Sequence, residues 1–393
     1  MFNLLWKNKK VMTRLYDSYE KVKNWIINSG LIVSNEDEKN YGGVYSFYDE
    51  KKSQFFFLYP EITGYLISTL RFLFKKEQDP KFLKMAKASS DWLIDLFDAY
   101  GGIIQGIGID DVKKTLSYSF DTGICAKGLL DYYEISKDQI YLDYAKKFMN
   151  VISNEAINTD GTIQPFKNLQ SKKFEEKSDV WYNRRGNLHI KTSMPFLQLY
   201  GLEQNSDFEN IAIRICYSYK KFENDDGSLS LHLDSNQVNL HTLCYAMEGL
   251  LYAYSITNNE EYLDCCNRYA NWCNKKIEND GSIQLWFNSK FKSKATYPVA
   301  QLLRIFILLN KENKNQTFLS NIQKLHSFLI NMQAISKNIT INGGMYEEFY
   351  KSTFGWKKRL KLNSWTSMFS LQAFYWFDNY DKISFSDEIK LLY

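Results

Sequence analysis

Two carboxylate-bearing motifs lie about sixty residues apart, and each opens an apolar segment. Glu61 stands in YPEITGY and Asp121 stands in YSFDTG. Two of the four histidines, His189 and His241, also stand at the start of apolar segments. Carboxyl and imidazole groups are the side chains that most often donate and accept protons in enzymes. These four residues are therefore candidate catalytic groups for acid–base chemistry.

A purely structural role is the alternative for each of them. Pro60 fits the first turn of a helix, where Glu61 would complement the positive end of the helix dipole. Asp121 fits an N-cap. His189 and His241 would then be core histidines with satisfied hydrogen bonds. The sequence alone leaves both interpretations open.

Aromatic and cationic side chains accompany the candidate acids and bases. Aromatic residues make up 16% of the chain, and tyrosine joins a flat apolar face to a polar tip, which suits a wet groove. A long insertion over residues 165–192 brings further aromatic and basic residues towards the same region, and loops of this length are usually functional or mobile. The candidate binding residues are Tyr59, Tyr65, Trp181, Tyr182, Arg184, Arg185, Tyr297 and Trp365.

A repeated glycine turn shows how these residues come together. Six segments pair two turn-forming residues with following apolar or aromatic ones, and their second turn residues lie about 60 positions apart on average, which marks a repeat architecture. Glycine suits such a turn because it reaches positive φ without penalty. These residues are Gly43, Gly102, Gly161, Gly227, Gly281 and Gly344.

The hydrophobic pattern predicts two kinds of helix between these turns. Segments before each turn carry one apolar stripe, as in DQIYLDYAKKFMNVI, whereas segments after each turn are apolar almost all round, as in HTLCYAMEGLLYAY. The former predict outer helices near 10–29, 80–98, 137–154, 205–222, 259–276 and 315–334. The latter predict inner helices near 60–75, 119–134, 189–202, 240–256, 295–310 and 364–378.

Six outer and six inner helices in alternation predict an all-α fold. An apolar inner ring closed against a half-polar outer ring satisfies every face, so we expect an (α/α)6 toroid of six helical hairpins that forms a single domain over residues 1–393. In such a ring the inner helices run parallel. Their N-termini, which carry the candidate residues, would then surround one funnel.

Composition and motifs exclude several other functions. The formal charge of +4 arises from interspersed charges, which gives no electrostatic case for nucleic acid. Six scattered cysteines lack ligand or disulfide-framework spacing, and no nucleotide-binding motif occurs, so we expect no metal and no cofactor. No apolar run reaches the length of a membrane span, and the N-terminus lacks the pattern of a signal peptide, so we expect a cytoplasmic protein without stable membrane insertion. The sequence does not indicate an oligomeric state.

The repeat and its motifs resemble a known superfamily. The toroid as a whole resembles the six-hairpin glycosidases, and YPEITGY, FDTG and the inner helix that starts with His241 look like motifs of a branch associated with surface-polysaccharide biosynthesis. The resemblance implies a metal-independent, carbohydrate-active enzyme that acts on an oligosaccharide or polysaccharide. It implies a sugar-binding funnel that contains Glu61, Asp121, His189 and His241.

Four functions stay open after this resemblance. The first is a glycoside hydrolase-like enzyme in which Glu61 and Asp121 form an acid–base pair. The second is a polysaccharide lyase or uronate epimerase that uses Tyr and His, with Arg184 or Arg185 holding a uronate carboxylate. The third is a glycan-binding or assembly protein without turnover. The last is a terpene-cyclase-like toroid, although the D-x-D-D and Q-W motifs of such cyclases are missing.

Overall fold

The computed structural model describes residues 9–109, 115–177 and 180–393. Within these ranges the six predicted outer helices are present as α1 (Lys9–Asn28), α3 (Pro80–Tyr100), α5 (Gln139–Glu155), α7 (Ser206–Tyr217), α9 (Glu260–Asn274) and α11 (Leu319–Met332). The six predicted inner helices are α2 (Pro60–Glu77), α4 (Ser119–Ser136), α6 (Ser193–Glu203), α8 (Leu240–Thr257), α10 (Thr296–Glu312) and α12 (Ser364–Asp378). The all-helical (α/α)6 toroid is confirmed.

The third inner helix starts later than predicted. A 3-10 segment, Asn187–Thr192, precedes α6, which begins at Ser193. Pro195 explains the difference, because a proline ring clashes with the carbonyl four residues earlier and prevents a regular α-helix from running through that position. His189 and Lys191 therefore lie on a tighter turn that enters the helix.

Burial follows the predicted division of the helices. In the outer helix α5 the buried side chains include Tyr141, Ala145, Phe148 and Ile152, which form one stripe. The inner helix α4 is buried at every position from Ser119 to Tyr132. Inner helices thus have protein on all sides, and their apolar faces form one continuous core with the stripes of the outer helices.

Contacts between the first and last hairpins close the ring. Helix α12 packs against α1 and α2. The Gln333 side chain donates a hydrogen bond to the Ser18 carbonyl at 2.9 Å, and the Trp25 indole donates one to the Thr340 carbonyl at 2.8 Å. Chain segments about 315 positions apart in sequence therefore meet in space.

Small β-sheets, which the sequence analysis did not predict, gather at one end of the ring. Their strands are β1 (Tyr45–Asp49), β2 (Gln54–Leu58), β3 (Leu116–Tyr118), β4 (Phe166–Asn168), β5 (Lys173–Glu175), β6 (Val238–Asn239), β7 (Trp286–Phe287), β8 (Ser293–Ala295), β9 (Glu348–Ser352), β10 (Gly355–Lys358) and β11 (Lys361–Asn363). The sheet orders are β11-β1-β2, β3-β4-β5, β6-β7 and β10-β9-β8, and all pairs are antiparallel. Several strands end directly before an inner helix, so the sheets frame the N-terminal end of the inner ring.

Four of the six glycine turns pack closely against the next outer helix. Gly281 has a φ of 82°, and a Cβ atom there would come within 2.0 Å of the Lys324 carbonyl oxygen in α11. Gly161 makes the same close approach to the Arg214 carbonyl in α7. In the first, second and sixth turns the positive φ falls one residue before the predicted position, on Gly42, Gly101 and Gly343.

Candidate active site

A cavity of about 230 Å³ opens at the N-terminal end of the inner helices. Its wall contains all four predicted catalytic residues and five of the eight predicted binding residues. The funnel inferred from the repeat therefore gathers residues from five inner-helix starts and from the long insertion. These nine residues are Tyr59, Glu61, Asp121, Trp181, Tyr182, His189, His241, Tyr297 and Trp365.

Three predicted binding residues lie elsewhere. Tyr65 is fully buried one helical turn deeper than Glu61, with its ring edge against Phe369 at a centroid distance of 5.1 Å. Arg184 lines an adjoining groove and forms an ion pair with Asp234. Arg185 is paired with Glu176 at 2.9 Å. Both arginines therefore have carboxylate partners within the protein, and no local sequence pattern predicts these pairs.

Glu61 lies in the first turn of α2 and faces the cavity. Glu61 is only 9% exposed, and burial raises the pKa of its carboxyl group to about 7. The hydroxyl of Tyr59 and the charge of Lys191 act in the opposite direction on this pKa. Glu61 thus lies in a polar corner of a mostly enclosed site, where its carboxyl group can change protonation state near neutral pH.

Asp121 lies in the first turn of α4, three residues after its N-cap, Tyr118. The N-cap alternative is therefore wrong for Asp121. Burial raises the pKa of its carboxyl group well above the usual value, and the nearby charge of Glu61 raises it further. Its Oδ2 atom has no hydrogen-bond partner among the described residues. A buried polar atom without a partner is costly, so this oxygen is poised for a ligand.

Two glycines bring these carboxylates together. A Cβ atom on Gly64 would lie 2.8 Å from the Ile124 carbonyl oxygen, and one on Gly128 would lie 2.8 Å from the Gly64 carbonyl oxygen. Helices α2 and α4 therefore pack with their backbones in direct contact. This close packing places the first turns of the two helices, and with them Glu61 and Asp121, side by side.

The two histidines in the cavity have different surroundings. Burial lowers the pKa of each imidazole to about 3, so both are neutral. Neither ring nitrogen of His189 has a hydrogen-bond partner among the described residues, and the residue is 4% exposed. His241 bonds through Nδ1 to the Oε1 atom of Gln301 at 2.5 Å.

Aromatic rings form much of the remaining wall. The rings of Tyr245 and Tyr297 lie 4.1 and 4.5 Å from the His241 ring. The ring of Trp365 lies 6.1 Å from the ring of Tyr297. Tyr245 was missed by the sequence analysis, although its position four residues after His241 in HTLCY predicts the same helix face. Further lining residues that were not among the predicted ones are Ile62, Gln105, Tyr118, Phe120, Pro165 and Leu188.

A wider groove of about 700 Å³ adjoins the cavity. Trp181 lines both, so the two spaces lie next to each other. The groove exposes aromatic surface on Trp286 and on Phe291, whose rings lie 6.0 Å apart, and Tyr350 lies on the same wall. The cavity therefore has a larger, partly aromatic groove beside it.

No cluster of three or more histidine, cysteine, aspartate or glutamate side chains suited to a metal ion occurs in residues 9–109, 115–177 and 180–393. All six cysteines are buried with free thiols. Among the described residues, no helix is long and apolar enough to cross a membrane.

Comparisons with known proteins identify the fold. No protein-family model and no curated protein sequence matches the chain. Its structure is similar to that of cellobiose 2-epimerase from Bacillus thermoamylovorans, with a TM-score of 0.75 and 14% identity over 96% of this chain and 100% of that one. It is also similar to a D-mannose isomerase, with a TM-score of 0.75 and 12% identity over 92% and 96% of the two chains.

A third similar structure is an unsaturated glucuronyl hydrolase from a Bacillus species, described as responsible for the degradation of glycosaminoglycan. The TM-score is 0.68 and the identity 11%, over 93% of this chain and 96% of that one. The chain thus shares the (α/α)6 toroid fold of these three structures. At these identities the similarity concerns the fold.

Proposed function

We propose that this toroid is a carbohydrate-active enzyme that cleaves a glycosidic bond, with Glu61 and Asp121 as its acid–base pair. The observation that carries the proposal is the pair itself: two buried carboxyl groups with raised pKa values face one cavity, and one of them has an oxygen without a partner. Glycosidic bonds are commonly cleaved by two carboxyl groups in complementary protonation states.

The surroundings of the pair assign different roles to its members. Burial and the charge of Glu61 both raise the pKa of Asp121, whereas the charge of Lys191 opposes the effect of burial at Glu61, so we assign the proton to Asp121, which acts as the general acid. Lys191 favours the ionised form of Glu61, so we assign Glu61 to the anomeric carbon.

The reaction then balances as a hydrolysis. Asp121 donates its proton to the glycosidic oxygen as the bond from that oxygen to the anomeric carbon breaks. Water supplies the hydroxyl group at the anomeric carbon. If water attacks directly, Glu61 accepts its remaining proton. If Glu61 first forms a covalent bond to the anomeric carbon, water breaks that bond and the ionised Asp121 accepts the proton. The separation of the two carboxyl groups in the sugar complex decides between these routes.

The shape and chemistry of the cavity support a sugar as the ligand. The cavity has room for about one hexose unit, and the aromatic rings of its wall suit the apolar faces of a pyranose. Asp121 Oδ2 and the two His189 nitrogens are unpartnered buried groups that sugar hydroxyls can satisfy. The adjoining groove has space for further units, which supports an oligosaccharide or polysaccharide as the substrate.

The three similar structures also support this class of substrate, since they are a cellobiose 2-epimerase, a D-mannose isomerase and an unsaturated glucuronyl hydrolase. The motifs YPEITGY and FDTG further favour a role in the metabolism of a surface polysaccharide. Free buried cysteines suit a reducing compartment, so we place the reaction in the cytoplasm. We assign it to one domain over residues 1–393, without a metal, a cofactor or a nucleic-acid partner.

Proton abstraction by histidine is the second candidate, and it would make the protein an epimerase or a lyase. Two histidines and several tyrosines share the cavity with the carboxylates, which favours this alternative. Imidazoles with pKa values of about 3 are, however, weak bases for a carbon-bound proton. The Glu61 carboxyl group, with a pKa of about 7, is better suited to proton transfer near neutral pH.

Product analysis in D2O separates the candidates. We would incubate the protein with defined neutral and uronate-containing oligosaccharides and follow the products by NMR. Hydrolysis produces a new reducing end without exchange of carbon-bound hydrogen. Deuterium at C2 of a reducing-end sugar would establish a 2-epimerase or isomerase, deuterium at C5 of a uronate would establish a uronate epimerase, and an unsaturated uronate would establish a lyase. Saturable binding of an oligosaccharide without any product would establish the glycan-binding alternative.

A further inference from the structure

A buried polar chain runs from His241 into the core below the cavity. Its second member is the amide of Gln301, which bonds to His241 Nδ1 through Oε1 at 2.5 Å and to Glu248 Oε2 through Nε2 at 3.2 Å. Both Gln301 and Glu248 are fully buried. Such a chain transmits orientation, because each group can adopt only the hydrogen-bonding role that its neighbour leaves open.

Two cations fix the charge at the far end of this chain. Lys191 contacts one oxygen of Glu248 at 2.6 Å, and Arg304 contacts the other at 2.6 Å. All three side chains are fully buried. Each oxygen of Glu248 thus accepts a hydrogen bond from a cationic donor, so this side chain acts as an acceptor on both oxygens.

The charge on Glu248 determines which way the Gln301 amide points. Its NH2 group must face the carboxylate, because the reverse orientation would bring two acceptors together. The Oε1 atom of Gln301 therefore faces His241, and the Nδ1 atom of His241 must be the donor in their bond. A neutral imidazole that carries its proton on Nδ1 has a lone pair on Nε2.

We infer that Gln301 and Glu248 are positioning residues that hold His241 in the Nδ1–H tautomer, so that Nε2 accepts a hydrogen bond from a hydroxyl group of the bound sugar. No hydrogen bond to Nε2 is present among the described residues, and His241 lines the cavity. The nature of the hydroxyl donor rests on the proposed function. The tautomer does not, because it follows from the protein's own contacts.

The tautomer can be measured without any substrate. In protein labelled with 15N-histidine, ring-nitrogen chemical shifts distinguish protonated from unprotonated nitrogens, and the chain has only four histidines. The spectrum of His241→Gln would identify the His241 signals by their loss. We expect a protonated Nδ1 and an unprotonated Nε2 in the wild-type protein at neutral pH. A protonated Nε2 there would overturn the inference.

Variants at Gln301 test its role. Gln301→Met keeps the volume but removes the acceptor, so the proton should move to Nε2, which faces the cavity. Gln301→Asn keeps both the acceptor oxygen and the NH2 donor of the amide, on a side chain one methylene shorter, and should preserve more of the wild-type tautomer than Gln301→Met does. An unchanged tautomer in a folded Gln301→Met protein would contradict the positioning role. If that variant does not fold, the wild-type spectrum alone still decides the tautomer.

Turnover provides a separate measurement. On an oligosaccharide that the wild-type protein cleaves, we expect Gln301→Met to lower kcat/KM about tenfold, which is the usual scale for one lost hydrogen bond. Gln301→Asn should recover part of that loss, since it keeps the amide. Failure of the proposed function would leave no turnover to compare but would not change the tautomer, so the two claims fail separately.

Discussion

Glu61 and Asp121 lie on neighbouring inner helices, close enough that the charge of Glu61 raises the pKa of Asp121. Their approach depends on the backbone contact between α2 and α4 at Gly64 and Gly128. A pair of buried carboxyl groups is unfavourable for folding, because burial penalises their ionised forms. A buried carboxyl pair next to polar atoms without partners among the described residues is expected of a functional site.

The assignment of Asp121 as the general acid predicts a leaving-group effect. Asp121→Asn should lower kcat by roughly 10² or more on natural glycosides, whose leaving oxygen needs a proton. On aryl glycosides with acidic phenol leaving groups, the loss should be much smaller, because departure needs no proton transfer. Steady-state kinetics on both substrate types check this. Equal losses on both would rule out the acid role.

The raised pKa of Glu61 predicts an unusual pH dependence of stability. The folded-state value of about 7 exceeds the ordinary value of 4.5, so the unfolded chain ionises first as pH rises. The wild-type protein should therefore lose stability relative to Glu61→Gln between about pH 4.5 and 7, by up to about 3 kcal/mol. Urea unfolding of both proteins at several pH values measures this difference. A capping role predicts the opposite sign, a variant that is less stable than wild type by at most about 1 kcal/mol.

The groove predicts a dependence on substrate length. Phe291 is 57% exposed and lies beside Trp286, so Phe291→Ala should raise KM for longer oligosaccharides and leave the shortest cleaved substrate unaffected. We expect a change of about three- to tenfold, the scale of one stacking contact. Phe354→Ala is the matched control, since Phe354 is 90% exposed and lies outside the groove. Similar effects of the two variants on KM would show that the groove does not bind the substrate.

The charges below the cavity predict a large stability effect. Glu248→Gln leaves Lys191 and Arg304 without their shared partner in a buried site and should cost about 3–5 kcal/mol. Glu36→Gln breaks an exposed pair with Lys84 and should leave the unfolding temperature unchanged. Thermal unfolding of the two variants makes the comparison. A Glu248→Gln protein as stable as the wild type would show that the cluster does not hold this end of the core together.

The glycine turns provide a test of the ring itself. Gly227 and Gly281 have nearly equal φ values, but a Cβ atom on Gly227 would meet nothing within 4 Å, whereas one on Gly281 would collide with α11. Gly227→Ala should cost only the backbone penalty of about 1–2 kcal/mol. Gly281→Ala should cost clearly more, because the outer helix must also move. Equal losses of stability would argue against tight docking of the turn.

The fold was readable from the sequence because each hairpin repeats the same local signals. The six glycine turns and the alternation of striped and fully apolar segments predicted all twelve long helices. The sheets were missed, since strands of two to five residues carry little periodicity, and their pairing joins distant segments such as Phe47 and Asn363. The late start of α6 could have been predicted from Pro195.

The site was predictable to the extent that helix starts determine it. Residues at those starts, such as Glu61 and His241, were placed correctly because the inner helices run parallel. The sequence pattern did not predict how deep in the ring each side chain lies. Tyr65 was predicted to bind the ligand but is fully buried below the cavity. The partners of Arg184 and Arg185 come from tertiary contacts that no local pattern indicates.

The most direct test of the central claim is the release of reducing ends from oligosaccharides by the wild-type protein, Glu61→Gln and Glu260→Gln. Glu260 is a matched control, because it also lies in the first turn of a helix but is exposed on the outer ring. We predict that Glu61→Gln loses turnover by roughly 10² or more while remaining folded, and that Glu260→Gln retains wild-type turnover. Equal release by all three proteins would contradict a catalytic role for Glu61.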